Sequence, residues 1–169
     1  MAHGAPTRRR VVSRLVGAVI ALHVVVQVAL PLRHLVYPGD VLWNEDGMRF
    51  AWHVLIREKH GTVRFVAAFA DGKRLEIPPR NYLTARQDRE MSGQPDLIVQ
   101  LARAIGRDLT ARGYRDFELH AITAVSLNGR APLPMIDPAV NLLTVRDIGA
   151  RDWVAPAPVG PPPTVGSRP

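Results

Sequence analysis

The stretch Leu30–Arg57, LPLRHLVYPGDVLWNEDGMRFAWHVLIR, separates two kinds of chain. Before it lies an apolar run of helical length; after it come short alternating segments, turn signals and amphipathic patterns typical of a water-soluble domain. Pro31, Pro38-Gly39 and Asp46-Gly47 punctuate the stretch as chain reversals. Trp43, Phe50 and Trp52 add bulky apolar surface next to the run. The expected fold class is therefore α+β, with one N-terminal transmembrane helix followed by a small antiparallel-sheet domain carrying two helices.

Working outward toward the N-terminus, Leu15–Leu30 (LVGAVIALHVVVQVAL) holds sixteen residues without a formal charge, and Val11, Val12 and Leu32 extend the run across Arg14. About 20 residues cross a ~30 Å hydrocarbon core, and an arginine at the edge can extend its head group to the interface. Arg8, Arg9, Arg10 and Arg14 flank one end, with Arg33 and His34 at the other. That imbalance predicts a single pass through the cytoplasmic membrane, N-terminus inside and C-terminal domain extracytoplasmic. A cleaved signal peptide is the competing reading. It fits less well, because a site ending at Ala29 would put Gln27 where a small residue is wanted. His23 and Gln27, four apart on one helical face, are expected to pack against another helix in the lipid.

Toward the C-terminus, the apolar positions from Met48 to Ile56 alternate with polar ones, and Val63, Phe65, Ala67 and Phe69 repeat the pattern after His60-Gly61. These two segments are expected to pair as a hairpin, with Asp71-Gly72 turning the chain toward a third strand at Leu75–Ile77 that Pro78-Pro79 ends. Thr84 and Gln87 form a capping-box signature for a helix to Met91. Pro95-Asp96 opens a second helix that reaches Arg112 and stops at Gly113, with Leu97, Leu101, Ala104, Ile105 and Leu109 on its core face. A strand from Phe117 to Leu127 follows, then an Asn128-Gly129 turn and a return strand over Leu133–Ile136 marked as an edge by its prolines. The expected division is a basic N-terminus (1–10), a membrane helix (11–32), a hinge (33–47), the α+β domain (48–154) and a disordered Pro-rich tail (155–169).

Composition removes several functions. With no cysteine there are no disulfides, thiolate metal sites or cysteine nucleophiles. The net charge of +7 raises nucleic-acid binding, but the densest basic cluster borders the apolar run, where membrane orientation accounts for it, so no nucleic-acid partner is assigned. Glycine-rich phosphate loops, HExxH and GxSxG are all missing. The six histidines show no ligand spacing, and no metal or catalytic residue is assigned; Glu118 and His120 share a strand face as a conceivable acid/base pair or a solvated surface. Trp43, Trp52 and Arg57 stand out, with two readings open: the tryptophans anchor or fill the domain and Arg57 is a solvated strand end, or the three meet a ligand.

The run Leu30–Lys59, with YLTARQ at Tyr82, QPDLIVQLAR at Gln94, AVSLNGR at Ala124 and IDP at Ile136, resembles the membrane-to-lumen junction of the vitamin K-dependent gamma-carboxylase family and its bacterial HTTM-domain relatives, over roughly Leu15 to Val154. The resemblance implies chemistry in which oxygenation of reduced vitamin K drives proton removal from a glutamate side chain and addition of carbon dioxide. It implies substrate binding by Trp43, Trp52 and Arg57. Where relatives carry Ser-Trp, one residue and two methionines, this chain has Ala51-Trp52-His53-Val54-Leu55. The family's catalytic lysine lies in a membrane core, and neither Lys59 nor Lys73 occupies a membrane segment. The resemblance thus implies a split or truncated form lending substrate engagement to a multi-helix carboxylase-like membrane protein, or an inactive membrane-anchored binding or scaffolding module. The implied partners are the lipid bilayer, that membrane protein and a peptide substrate; this chain alone holds no cofactor, and the complete assembly uses reduced vitamin K or another quinol.

Overall fold

A computed structural model describes residues 5–48, 50–51, 57–146 and 151–161. It has an N-terminal apolar helix, a three-stranded antiparallel sheet and further helices, an α+β arrangement. Two compact units divide it: one contains α1 (Ala5–Leu32), the turn after it as far as Tyr37 and the loop from Asp46; the other contains Pro38–Glu45 and the chain from Arg57 onward.

In the first unit, α1 is 28 residues long, about 42 Å at 1.5 Å per residue, which exceeds a ~30 Å hydrocarbon core. The window Val11–Val36 has mean hydropathy 2.3, and only 6% of it is buried. A helix apolar on every side has no stable place in water without a covering, so lipid or other helices must supply one. His23 and Gln27 meet on it, nitrogen to nitrogen at 3.5 Å. After α1, a 3-10 turn over Arg33–Val36 is closed by the His34 Nδ1–H on the Pro31 carbonyl at 2.8 Å. Arg33 donates to the Gly47 carbonyl at 3.3 Å, and Gly47, at φ +70, sits where a Cβ would lie 2.7 Å from the His34 Cα.

In the second unit, α2 (Val41–Asn44) starts on Asp40, whose carboxylate accepts the Leu42 N–H at 2.8 Å. The sheet has the order β2-β1-β3, with β1 Lys59–Phe69, β2 Arg74–Ile77 and β3 Phe117–Leu127, antiparallel throughout. Every residue of β1 has a partner on β3, from Lys59↔Leu127 to Phe69↔Phe117. Side chains at Val63, Phe65 and Ala67 and at Leu119, Ala121, Val125 and Leu127 turn to one face, as period two requires. Over that face lies α4 (Pro95–Ala111), burying Ile98, Val99, Leu101, Ala102, Ile105 and Leu109. Preceding it, α3 (Ala85–Met91) begins with the full capping box, Thr84 and Gln87 bonding reciprocally.

Several expectations are corrected. The strand expected over Met48–Ile56 is absent where it is described: Ala51 N–H closes a turn on the Met48 carbonyl at 3.0 Å and Phe50 takes φ 68, while residues 52–56 lie outside the described residues. The partners of β1 are β2 and β3, so the hairpin expected with that segment gives way to long-range pairing with a strand some 60 residues later. His60-Gly61 is strand, not turn. Gly61 is required there by close approach: an added Cβ would lie 2.8 Å from Val125 Cγ2 and 2.9 Å from the Ser92 carbonyl oxygen. Asn128 and Gly129 do form the turn, at φ 51 and 76, but the return segment makes only a bridge, Val125↔Leu133. A ladder to β3 would use the N–H groups of residues 131, 133 and 135, and past the Leu133 bridge Thr123 takes over, its buried hydroxyl oxygen accepting from the Met135 and Ile136 N–H at 2.9 and 3.0 Å. The start of the supposed disordered tail is also held: Ala155 donates its N–H to Met135 and accepts from Trp43. Residues 162–169 lie outside the described residues.

Gly61→Ala is expected to cost roughly 1–3 kcal/mol, since neither the strand nor the Ser92 backbone can yield cheaply. Gly17→Ala, with nothing within 4 Å, should leave the soluble domain unchanged. Urea titration of the full chain in detergent, followed by tryptophan fluorescence, checks both; equal midpoints would refute the close approach.

Candidate functional site

The polar group with the most distant connections gathers around Glu45, the residue that ends α2 in the left-handed conformation at φ 63, ψ 16. Such a position usually falls to glycine or asparagine, and a side chain there costs on the order of 1 kcal/mol unless its surroundings hold it. The surroundings do. Glu45 Oε1 accepts from the Lys59 ammonium at 3.0 Å and pairs with the Arg57 guanidinium. Lys59 Nζ also donates to the Trp43 carbonyl at 2.6 Å and to the Gly93 carbonyl at 3.0 Å, and lies 5.7 Å from the centre of the Trp43 ring. Its three protons are thereby committed, and only 5% of its side chain is exposed. Burial pushes the Lys59 ammonium down from 10.5 to about 8, a shift that Glu45 partly opposes.

On the other side of α2, Arg151 pairs with Asp96 at 2.7 Å and donates to the Asn44 carbonyl at 3.4 Å. Two cations, Lys59 and Arg151, thus satisfy carbonyls that the end of a helix leaves without intrahelical partners. Trp43 completes the fastening from beneath. It is 1% exposed, the largest wholly buried side chain, and its indole N–H donates to the Ala155 carbonyl at 2.8 Å.

The structure brings Trp43 and Arg57 to this one cluster through Glu45 and Lys59, and their placement settles what their side chains touch. Trp43 fills the core. Arg57 is ion-paired, not a solvated strand end, with a quarter of its side chain exposed. Trp52 lies outside the described residues, and so does His53. Glu118 and His120 do meet, at 3.3 Å; since the Val140 carbonyl 3.0 Å from His120 Nδ1 can only accept, Nδ1 carries a proton. His60 pairs with Glu58 on the surface. Among the described residues no group of His, Asp and Glu could hold a metal ion. Sequence reasoning missed Glu45, Lys59 and Thr123. The one available signal for Lys59 was its place at the head of an alternating strand, among core-facing positions, in a chain whose only other lysine is Lys73.

A family model for the lumenal domain of vitamin K-dependent gamma-carboxylase matches residues 12–159, and the chain belongs to that family. Comparison with curated proteins and with solved structures gave no match. Among the described residues one helix is long and apolar enough to cross a membrane, and the lumenal-family match runs on from it, which suggests a single-pass membrane protein. The family implies a naphthoquinol, and the open groove beside β1 and β2 does not fit one: it is lined by Arg64, Arg80, Arg89, Glu76 and Asp88, charged groups that a flat apolar ring system would strip of water.

Lys59 supplies a pH test. With its folded value near 8 and its unfolded value at 10.5, the unfolded chain binds more protons between those limits, so this group makes the fold more stable as pH rises from about 8 to 10.5. The wild-type chain should therefore gain on Lys59→Met across that window in melting temperature, and the difference should be flat below it. A difference that shrinks as pH rises would contradict the burial of a charged ammonium.

Proposed function

We propose that this chain is the extracytoplasmic part of a gamma-carboxylase-like assembly, fixed to the cytoplasmic membrane by α1 with the N-terminus inside. In this reading its domain engages a glutamate-bearing peptide for a multi-helix membrane bundle, whether that bundle belongs to the same or another polypeptide. Catalysis, with reduced vitamin K or another quinol, takes place in the bundle. The observation that carries the reading is the family match running without a break from within α1 to Val159. Further support comes from the basic residues Arg8, Arg9, Arg10 and Arg14 at the helix start, which resist translocation. The commitment of Lys59, Glu45 and Trp43 to structure fits a domain that positions a substrate and leaves the reaction elsewhere. The same commitment favours the second reading, a membrane-anchored binding or scaffolding module without a reaction of its own.

Partnership in the membrane is the discriminating property. His23 and Gln27 lie exposed on α1 and share one long contact with each other, so a neighbouring helix could add hydrogen bonds worth ~0.6 to 2 kcal/mol each. Replacing both by Leu should weaken co-purification with a carboxylase-like bundle in mild detergent. Isolation of the wild-type chain only as a monomer, from cells that also make the bundle, would remove the enzyme-subunit reading and leave the binding module. Protease added to intact spheroplasts should digest the region after Leu32; protection of that region would overturn the orientation.

A further inference from the structure

Three large apolar side chains stand in the open just past the end of α1. Val36 is 80%, Phe50 75% and Leu35 71% exposed, and Leu32 and Tyr37 are exposed beside them. Single exposed apolar residues are ordinary on a protein surface, whereas a contiguous group marks a surface that something covers.

Phe50 reaches this group through Arg33. The guanidinium carbon lies 5.7 Å from the centre of the Phe50 ring, and the Arg33 Nε–H donates to the Gly47 carbonyl at 3.3 Å. The loop presses on the turn so closely that a Cβ on Gly47 would lie 2.7 Å from the His34 Cα. Ala51 then closes a turn on the Met48 carbonyl, and Phe50 takes φ 68, a conformation that bulky residues rarely adopt. Strain of that kind persists where the position serves a contact, yet the Phe50 ring gains no burial within the first unit.

Position and chemistry single out what covers the group. Counting from Val11, α1 has risen about 33 Å by Leu32, enough to cross a ~30 Å hydrocarbon core, so in the single-pass reading the Arg33–Val36 turn falls at the headgroups. The apolar window runs on through Val36, continuous with the surface that lipid covers along α1. Arg33, His34 and Tyr37 among apolar neighbours match the mixed character of that layer, where cationic and aromatic groups meet phosphate on one side and acyl chains on the other. An exposed carboxylate would repel lipid phosphates; residues 32–37 contain none, and Asp46, at the start of the loop, is buried.

We propose that the Arg33–Val36 turn and the loop carrying Phe50 form a second membrane contact, lying in the interfacial layer of the leaflet from which α1 emerges. Leu35, Val36 and Phe50 enter the acyl region there, and Arg33 stays at the phosphates. The partner is a phospholipid surface, and the inference rests on reading α1 as a membrane helix; it needs neither a carboxylase bundle nor a peptide. Amphipathic elements of this kind sink ~5–10 Å into the boundary. The chain leaves for α2 at Pro38 and returns at Asp46, so both ends of that excursion are held at the leaflet. A lone helix can turn about its own axis, whereas a loop contact beside it resists that rotation.

The chain has no cysteine, so single substitutions place one dye at a time. Val36→Cys and Phe50→Cys put nitrobenzoxadiazole on the platform, Val24→Cys in the middle of α1, and Lys73→Cys on the charged turn between β1 and β2. The full chain is reconstituted at high lipid excess into vesicles of phosphatidylcholine and phosphatidylglycerol, with nitroxide carried at the headgroup or at the end of the acyl chain. Labels at 36 and 50 should be quenched at least twofold more by the headgroup nitroxide, the label at 24 should show the reverse, and the label at 73 should respond to neither. In Arg33→Gln the label at 50 should lose at least half its quenching while the label at 36 keeps its own. Unquenched labels at 36 and 50 beside a quenched label at 24 would overturn the proposal and leave the membrane helix standing. An unquenched label at 24 would remove the helix on which the proposal rests. Blue-shifted emission at 50 without quenching by either lipid would overturn it in favour of a second copy of the chain, and quenching at 50 unchanged in Arg33→Gln would overturn the part given to Arg33.

Discussion

An ammonium group taken out of water is costly unless oxygen atoms replace its hydration, and the second unit is arranged around one such replacement. Lys59 reaches from the start of β1 to the carbonyls of Trp43 and Gly93 and to the Glu45 carboxylate. Those contacts join three segments far apart in sequence: α2, the junction of α3 with α4, and the central strand. Glu45 can hold its left-handed backbone because its carboxylate is fixed by Lys59 and Arg57. Breaking a buried pair of this kind typically costs about 3–5 kcal/mol, a large share of the stability of a domain this size.

From that corner the sheet runs outward. Beyond β3 the return segment makes a single bridge at Leu133, and the Thr123 hydroxyl receives two further backbone N–H groups, so the segment stays in place. On the other side β2 ends at Ile77 before Pro78 and Pro79, and a groove lies along Gly61–Arg64.

Much of the architecture was legible where local rules decide it. The apolar run, the Thr84 and Gln87 cap, the stripe of α4, the β3 alternation and the Asn128-Gly129 turn all depend on residues within one or two turns of each other. What was illegible depends on distance. Gly61 looks like a turn residue until Ser92 and Val125 are seen to crowd it. The alternation from Met48 onward suggested a strand, but Phe50 and Ala51 adopt a turn, and the partner β1 takes instead is β3. Trp43 and Arg57 stood out in the sequence, but the 1% exposure of the one and the ion pair of the other to Glu45 depend on contacts distant in sequence. Lys59 escaped because charge argues for the surface in any sequence, and only the converging carbonyls of Trp43 and Gly93 make its burial tolerable.

A double-mutant cycle on Glu45→Gln and Lys59→Met, read from urea unfolding of the full chain in detergent, tests the buried pair most directly. The account predicts a coupling energy above roughly 1.5 kcal/mol, because Glu45→Gln leaves the Lys59 ammonium buried without its counter-charge and Lys59→Met leaves Glu45 with Arg57 alone. Additivity within about 0.5 kcal/mol would show that Lys59 and Glu45 do not depend on each other, and would contradict it.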